Sequence, residues 1–319
     1  MNPAPSVIVF TTLSGAGFGL LLWLGISIAL LHPNVEVMRS MQSLQLWALG
    51  TGTVLAAGGL LASLAHLGKP QRAWRALSQW RTSWLSREGV LALTTFVPAI
   101  ALGVLLLAVA PGANRAIALG ASGLLLAGLA LATVASTAMI YASLPPIPAW
   151  RHPLVLPVYL LFAMLTGLAL LFTLMALLLP VSADARGMLV ILLVLALLLV
   201  AAKWLYWHAI DREPLPADAG AAIGLPGRGA RVFERPHTEA SFVTREMAFE
   251  LARRHGTRLR LLASLLIAGG PLLGLALAWT DLGPPALWPG LAALGTLGGA
   301  LVERWLFFAQ ARHVVSLYY

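Results

Sequence analysis

The chain has no cysteine, so it can carry no disulfide, no thiolate-held zinc and no iron–sulfur cluster of its own. Charge is also scarce: only 10% of the 319 residues are Asp, Glu, Lys or Arg, whereas 59% are hydrophobic. Soluble domains are about a quarter charged, which excludes an ordinary soluble fold. Disorder is excluded too, because disordered chains are poor in apolar residues. Acidic residues are the scarcest, 12 against 21 basic, for a net charge of +9. In a soluble protein that balance would suggest nucleic acid. Here Lys and Arg fall between long apolar runs, as the loop asymmetry of membrane proteins requires, and no nucleic-acid partner is expected. The runs are continuous rather than alternating, which rules out a membrane β-barrel.

What the chain does have is enough apolar sequence for an all-α integral membrane protein with eight transmembrane helices, forming a single membrane domain over residues 1–319. Spans are expected at about 5–31, 43–65, 88–110, 114–142, 153–179, 186–209, 259–280 and 286–310. The first has no basic residue before it and is longer than a signal-peptide core, so it is expected to be a retained helix.

Basic residues cluster in alternate connections. Lys69, Arg72, Arg75, Arg81 and Arg87 follow span 2, and Arg151 follows span 4. The connection after span 6 holds Arg212, Arg228, Arg231, Arg235, Arg245, Arg253, Arg254, Arg258 and Arg260. The other side has only Arg39, Arg115 and Arg186, offset by Glu36, Asp184 and Asp281. The asymmetry places both termini and the basic loops in the cytoplasm. Many of these arginines would do no more than fix topology and touch anionic membrane lipid.

The halves of the chain, about 1–142 and 153–319, echo one another. Ser83-Trp84-Leu85-Ser86-Arg87-Glu88 is matched by Ser241-Phe242-Val243-Thr244-Arg245-Glu246, with His66 and His208 ending the preceding spans. Four spans separate the copies, so a duplication would be a parallel repeat. In the second half the cytoplasmic loop, about 211–257, is long, and its charged stretch Arg245–Arg260 interleaves Met247, Phe249 and Leu251. That pattern suits a helix at the membrane surface or against a partner.

The spans hold few ionisable groups except near their ends. His66, His152, His208 and His313 fall at the cytoplasmic boundary with Glu88, Lys203 and Glu303-Arg304, while His32 is on the far side. His66-Leu67-Gly68-Lys69-Pro70 reads as a helix end in which Gly68 supplies a left-handed cap and the imidazole meets the negative end of the dipole. Glu88 reads as a first-turn carboxylate behind a Ser86 N-cap, paired with Arg87. Those structural readings stand beside a functional one. An imidazole and a carboxyl group at the membrane edge, flanked by Trp74, Trp80 and Trp84, suit a quinone, whose reduction takes protons along with electrons. Membrane b-haem is disfavoured because no histidine is mid-span, and no phosphate loop or acid-rich metal constellation is present. Gly269-Gly270-Pro271 and Gly298-Gly299 suit close helix packing.

Several motifs together resemble the membrane anchor subunit of DMSO-reductase-type molybdenum enzymes. They are His66-Leu-Gly-Lys-Pro70 with Arg72-Ala-Trp74, Ser83-Trp-Leu-Ser-Arg-Glu88, Ala138-Met-Ile-Tyr-Ala142, Arg245-Glu-Met247, and the tail Glu303-Arg-Trp-Leu-Phe-Phe308, Ala311-Arg-His-Val-Val315 and Tyr318-Tyr319. The resemblance implies a haem-free, non-catalytic subunit of a heterotrimer with a molybdopterin catalytic subunit and an iron–sulfur subunit. It would pass electrons between the iron–sulfur subunit and menaquinone or ubiquinone, with no metal of its own. The family's quinol-site histidine and glutamate carry over to His66 and Glu88. Arg72, Trp74, Trp84 and Arg87 are further candidates for the quinone site, and Arg75, Arg81, Arg245, Arg253 and Arg254 for partner docking. The strongly basic loop after span 2 makes the chain look most like the anchor of the cytoplasmic sulfite-oxidising enzyme. In enteric DMSO-reductase anchors that loop is weakly basic and faces the periplasm. Alternatives are a quinol-oxidising anchor of a DMSO or other S/N-oxide reductase, a purely structural anchor, and a secondary transporter built on parallel repeats.

Overall fold

The computed structural model describes residues 4–65, 67–179, 185–212 and 255–314, with residues 220, 223–225, 227 and 230. The described residues contain eight helices long and apolar enough to cross a membrane. They are α1 (Pro5–Leu31), α3 (Gln42–Leu64), α4 (Trp84–Leu107), α5 (Ala113–Ala142), α6 (Val155–Leu178), α7 (Ala185–Arg212), α8 (Gly256–Trp279) and α9 (Leu287–Ala309). Two short elements that the apolar pattern does not announce join them: α2 (Val35–Ser40), capped by the Asn34 side chain, and a 3₁₀ helix, Pro70–Gln79.

In lipid, apolar side chains gain little by leaving the solvent, so helices associate where small residues permit close backbone contact. The inward face of α4 holds Glu88, Ala92, Thr95, Ala99 and Leu102, while Leu93, Val97, Ile100, Val104 and Leu107 form an exposed stripe at helical spacing. Its large apolar residues face lipid and its small or polar ones face protein. The most buried span is α1, which packs against α3, α5, α6 and α9 and so joins the first four spans to the last four. The joint is a glycine contact. A Cβ on Gly19 would collide with the Ala163 carbonyl oxygen, and one on Gly167 with the Gly19 carbonyl carbon.

Of the expected packing glycines, Gly270 and Gly299 do sit at the α8–α9 contact, where a Cβ would meet Leu291 O at 2.9 Å and Ile267 Cγ1 at 2.5 Å. Gly269 faces open space.

Two expectations are corrected. Span 3 starts at Trp84 rather than 88, so Glu88 lies a full turn inside the helix and Ser86 is a buried helical residue, not the N-cap. The left-handed glycines among the described residues are Gly224, Gly227 and Gly283; Gly68 is not one of them, and α3 ends at Leu64 with Ala65 in the right-handed region. Lys203 of α7 and Glu303 and Arg304 of α9, each in the last third of its helix, are buried against protein.

A candidate quinone site beneath an arginine-bearing 3₁₀ helix

Where α3 ends and α4 begins, the chain must cross from one helix to the next while keeping its polar backbone satisfied. It does so through the 3₁₀ helix. Residues three apart eclipse in that geometry, so its ten residues form faces of period three. Ala73 with Ala76, and Trp74 with Leu77, line a cavity below, whereas Arg72, Arg75 and Ser78 share the remaining, exposed face.

The residues after it hold this roof down. Ser86 Oγ donates to the Ala76 carbonyl. The Arg87 guanidinium donates to the carbonyls of Trp80 at 3.0 Å and Arg81 at 2.6 Å, and lies 4.3 Å from the Trp84 ring centroid. Arg87 therefore staples the loop instead of pairing with Glu88. Gly89 lets the roof approach closely, because a Cβ there would meet Leu77 Cδ2 at 2.8 Å.

The cavity beneath has a volume of about 740 Å³ and is enclosed by α1, α3, the 3₁₀ helix, α4 and α5, with Trp150 and Phe308 behind. Its back wall is an aromatic cluster. Tyr141 stands edge-on to Trp150 and Phe308 with centroids 5.3 Å away in each case, and Trp150 Nε1 donates to Phe307 O. Leu61, Leu85 and Leu93 line the cavity yet are more than half exposed, so its mouth meets the lipid-facing surface. Among the described lining residues, Glu88 is the one carboxylate.

Glu88 is buried, and Thr137 Oγ1 from α5 donates to its Oε1 at 2.5 Å. The same hydroxyl also lies 3.1 Å from the Thr133 carbonyl, and Thr133 meets Thr95 of α4 at 3.3 Å. A hydroxyl has one proton to give, so Thr137 can satisfy either protonation state of its neighbour. It donates to an ionised Glu88. From a protonated Glu88 it accepts, and gives its own proton to Thr133. A buried carboxyl held in this manner can take up or release a proton without leaving a polar group unpaired.

Of the candidates named from the sequence, Glu88 and Trp74 share the cavity wall. Trp84 and Arg87 pair with each other beside it, and Arg72, Arg75 and Arg81 are exposed around the roof. His66, Arg245, Arg253 and Arg254 lie outside the described residues. Two features are missed by reasoning from the sequence. Thr137 is an ordinary threonine in an apolar span, with no signal at all. The second is a buried ion cluster: Lys203 Nζ is 2.5 Å from Glu303 Oε1, and Arg304 Nη1 is 3.5 Å from Glu303 Oε2. Its signal is that Lys203 and Glu303-Arg304 fall near those ends of spans 6 and 8 that share one side of the membrane.

Residues 1–214 match the family model described as "DMSO reductase anchor subunit (DmsC)". The chain belongs to that family. One of the subunits of the sulfite dehydrogenase of Allochromatium vinosum is a relative, 32% identical over 333 residues that take in 100% of this chain and 99% of the relative. The anchor is thus a multi-pass membrane component of a molybdoenzyme complex, and every residue lining the cavity except Phe308 lies within the part that the family model matches.

Proposed function

We propose that this anchor exchanges electrons between a partner iron–sulfur subunit and the quinone pool, in a complex whose molybdopterin subunit oxidises sulfite. The observation that carries the reading is Glu88, a buried carboxyl in the wall of a largely apolar cavity of about 740 Å³ that meets the lipid-facing surface. That volume is within the range of about 300–1,000 Å³ typical of small-molecule sites. Aromatic and aliphatic walls suit the ring and isoprenoid tail of a quinone, and Glu88 is placed to exchange a proton with a ring oxygen. The quinone supplies two-electron, two-proton redox chemistry. This chain's residues bind it, exclude water from it and move its protons. His66 is proposed as the second protonatable group, and Trp74 as an aromatic wall for the ring.

Sulfite as the donor is supported by the name of the Allochromatium relative. The family description favours a second reading, quinol oxidation for an S- or N-oxide reductase, which uses the same cavity in reverse. The two are separated by which substrate drives quinone chemistry in membranes carrying the complex. In those membranes Glu88→Gln should lower substrate-linked quinone turnover by about 10²-fold or more, the scale of general acid–base catalysis, with the complex still assembled. Full turnover would remove Glu88 from the mechanism.

The exposed Arg72/Arg75 face and Arg81 are proposed to dock the iron–sulfur subunit directly above the cavity, with Arg245, Arg253 and Arg254 contributing from the long loop. That surface is assigned to the cytoplasmic side of the bacterial inner membrane, with both termini, on the distribution of arginines. The chain is further proposed to be a parallel duplication. In support, the third span of each half carries an internal proline about midway, Pro98 in α4 and Pro271 in α8, and the third and fourth spans of each half pack together.

A further inference from the structure

Between the two sets of four helices lies a second, much smaller cavity of about 10 Å³, room for about one water molecule. Its walls include Thr12 of α1, Thr137 of α5, Tyr159 of α6 and Arg304 of α9. All four are more than nine-tenths buried. Thr12 Oγ1 and Tyr159 Oη make no well-formed hydrogen bond, and Arg304 Nη1, stacked over Tyr159, has only the long 3.5 Å ion pair with Glu303 Oε2. A buried water is stable where two to four polar groups converge on it, and this chamber brings that number together.

The chamber adjoins the quinone cavity through one residue. Thr137 is in its wall and donates to Glu88 on the other side. Behind Arg304 come Glu303 and Lys203, closing the ion cluster. With its two cations and one carboxylate ionised, the cluster carries one positive charge in excess. An ionised Glu88 brings the buried sum to zero. The carboxylate left after a proton departs therefore has its counter-charge already in place, which an isolated buried carboxylate lacks.

We propose that this chamber is a proton-exchange site serving Glu88: one water held by Thr12, Tyr159 and Arg304 passes protons to and from the carboxyl across Thr137, and the Lys203–Glu303–Arg304 cluster balances the charge of the exchange. The proposal rests on the quinone reading. In quinone reduction two electrons arrive from the partner's iron–sulfur cluster. Glu88 gives one proton to a ring oxygen, becomes a carboxylate, and is reprotonated across Thr137 from the chamber water, which is replenished from the aqueous phase. A second round supplies the second proton.

The test uses the complete complex in membranes, with quinone-analogue binding, turnover and the solvent deuterium isotope effect measured together. Thr137→Val should keep analogue affinity within about twofold, cut turnover at least about tenfold and enlarge the isotope effect, because proton delivery becomes limiting. Thr137→Ser, which restores the hydroxyl, should recover most of the rate. Turnover and isotope effect unchanged in Thr137→Val would overturn the proposal. If that variant fails to assemble, Tyr159→Phe decides: it keeps the ring and removes only the hydroxyl, and an unchanged isotope effect there would overturn it equally. An unaltered complex that binds no quinone analogue would instead bring down the quinone reading, and the chamber's role with it.

Discussion

Glu88 and Glu303 are both buried carboxyl groups in membrane helices, yet their surroundings set them apart. Glu303 faces a lysine and an arginine and sits in the core, whereas Glu88 meets a threonine hydroxyl and a cavity wall. Carboxyl groups held between two cations fix structure and local charge, and a carboxyl with a switchable hydroxyl partner in the wall of the large cavity is equipped for proton exchange. The two should respond differently to mutation. Lys203→Met leaves the Glu303 charge without its nearest partner and should destabilise the protein by about 3–5 kcal/mol, seen as a lower melting temperature of the purified complex. Glu303→Leu should cost at least as much, because it leaves both Lys203 and Arg304 buried without a counter-charge; a Lys203→Met variant as stable as the parent would show the pair to be structurally idle. The residue scale is also where the sequence is hardest to read. Thr137 carries no pattern that separates it from Thr133 or Thr166, and Lys203 and Glu303 are a hundred positions apart, so only packing could show that they meet.

At the scale of elements, the 3₁₀ helix decides how the site is closed. In the sequence, residues 70–79 look like a basic loop, because a period of three is neither that of an α-helix nor that of a strand. Once formed, that period sorts alanine, leucine and tryptophan onto the cavity and arginines onto the exposed side. The start of α4 is obscured for a related reason: Ser86 looks like an N-cap and Arg87 like a partner for Glu88, but both side chains are spent on carbonyls of the preceding segment. The apolar spans themselves are legible to within a few residues, since a run of about twenty apolar residues leaves a helix little choice in a bilayer. The roof gives a specific expectation. Gly89→Leu would push into Leu77 and narrow the cavity, weakening quinone-analogue binding by about tenfold or more at near-normal complex assembly, since overpacking of this kind costs about 1–3 kcal/mol. Unaltered affinity would show that the ring does not lie beneath the 3₁₀ helix.

At the scale of the whole molecule, the first span is the keystone. Through the Gly19–Gly167 contact α1 packs directly on α6, and through Thr11, Thr12 and Ser14 it lines the polar chamber between the two halves. The same helix also contributes Val7 and Phe10 to the large cavity, with Ala4 just before it. A single span thereby touches the proposed quinone cavity, the proton-exchange chamber and the second set of helices, so the second half need not hold a quinone itself to take part in the chemistry. The central claim is that a quinone occupies the cavity between the 3₁₀ helix and α4. It is tested most directly by photolabelling the intact complex in its membrane with a light-activated quinone analogue and mapping the modified peptides. A quinone there should leave label within Ala73–Leu77 and Leu85–Leu93, displaced by excess unlabelled quinone and reduced in Glu88→Gln. Displaceable label confined to other helices, with these two segments unmodified, would contradict it.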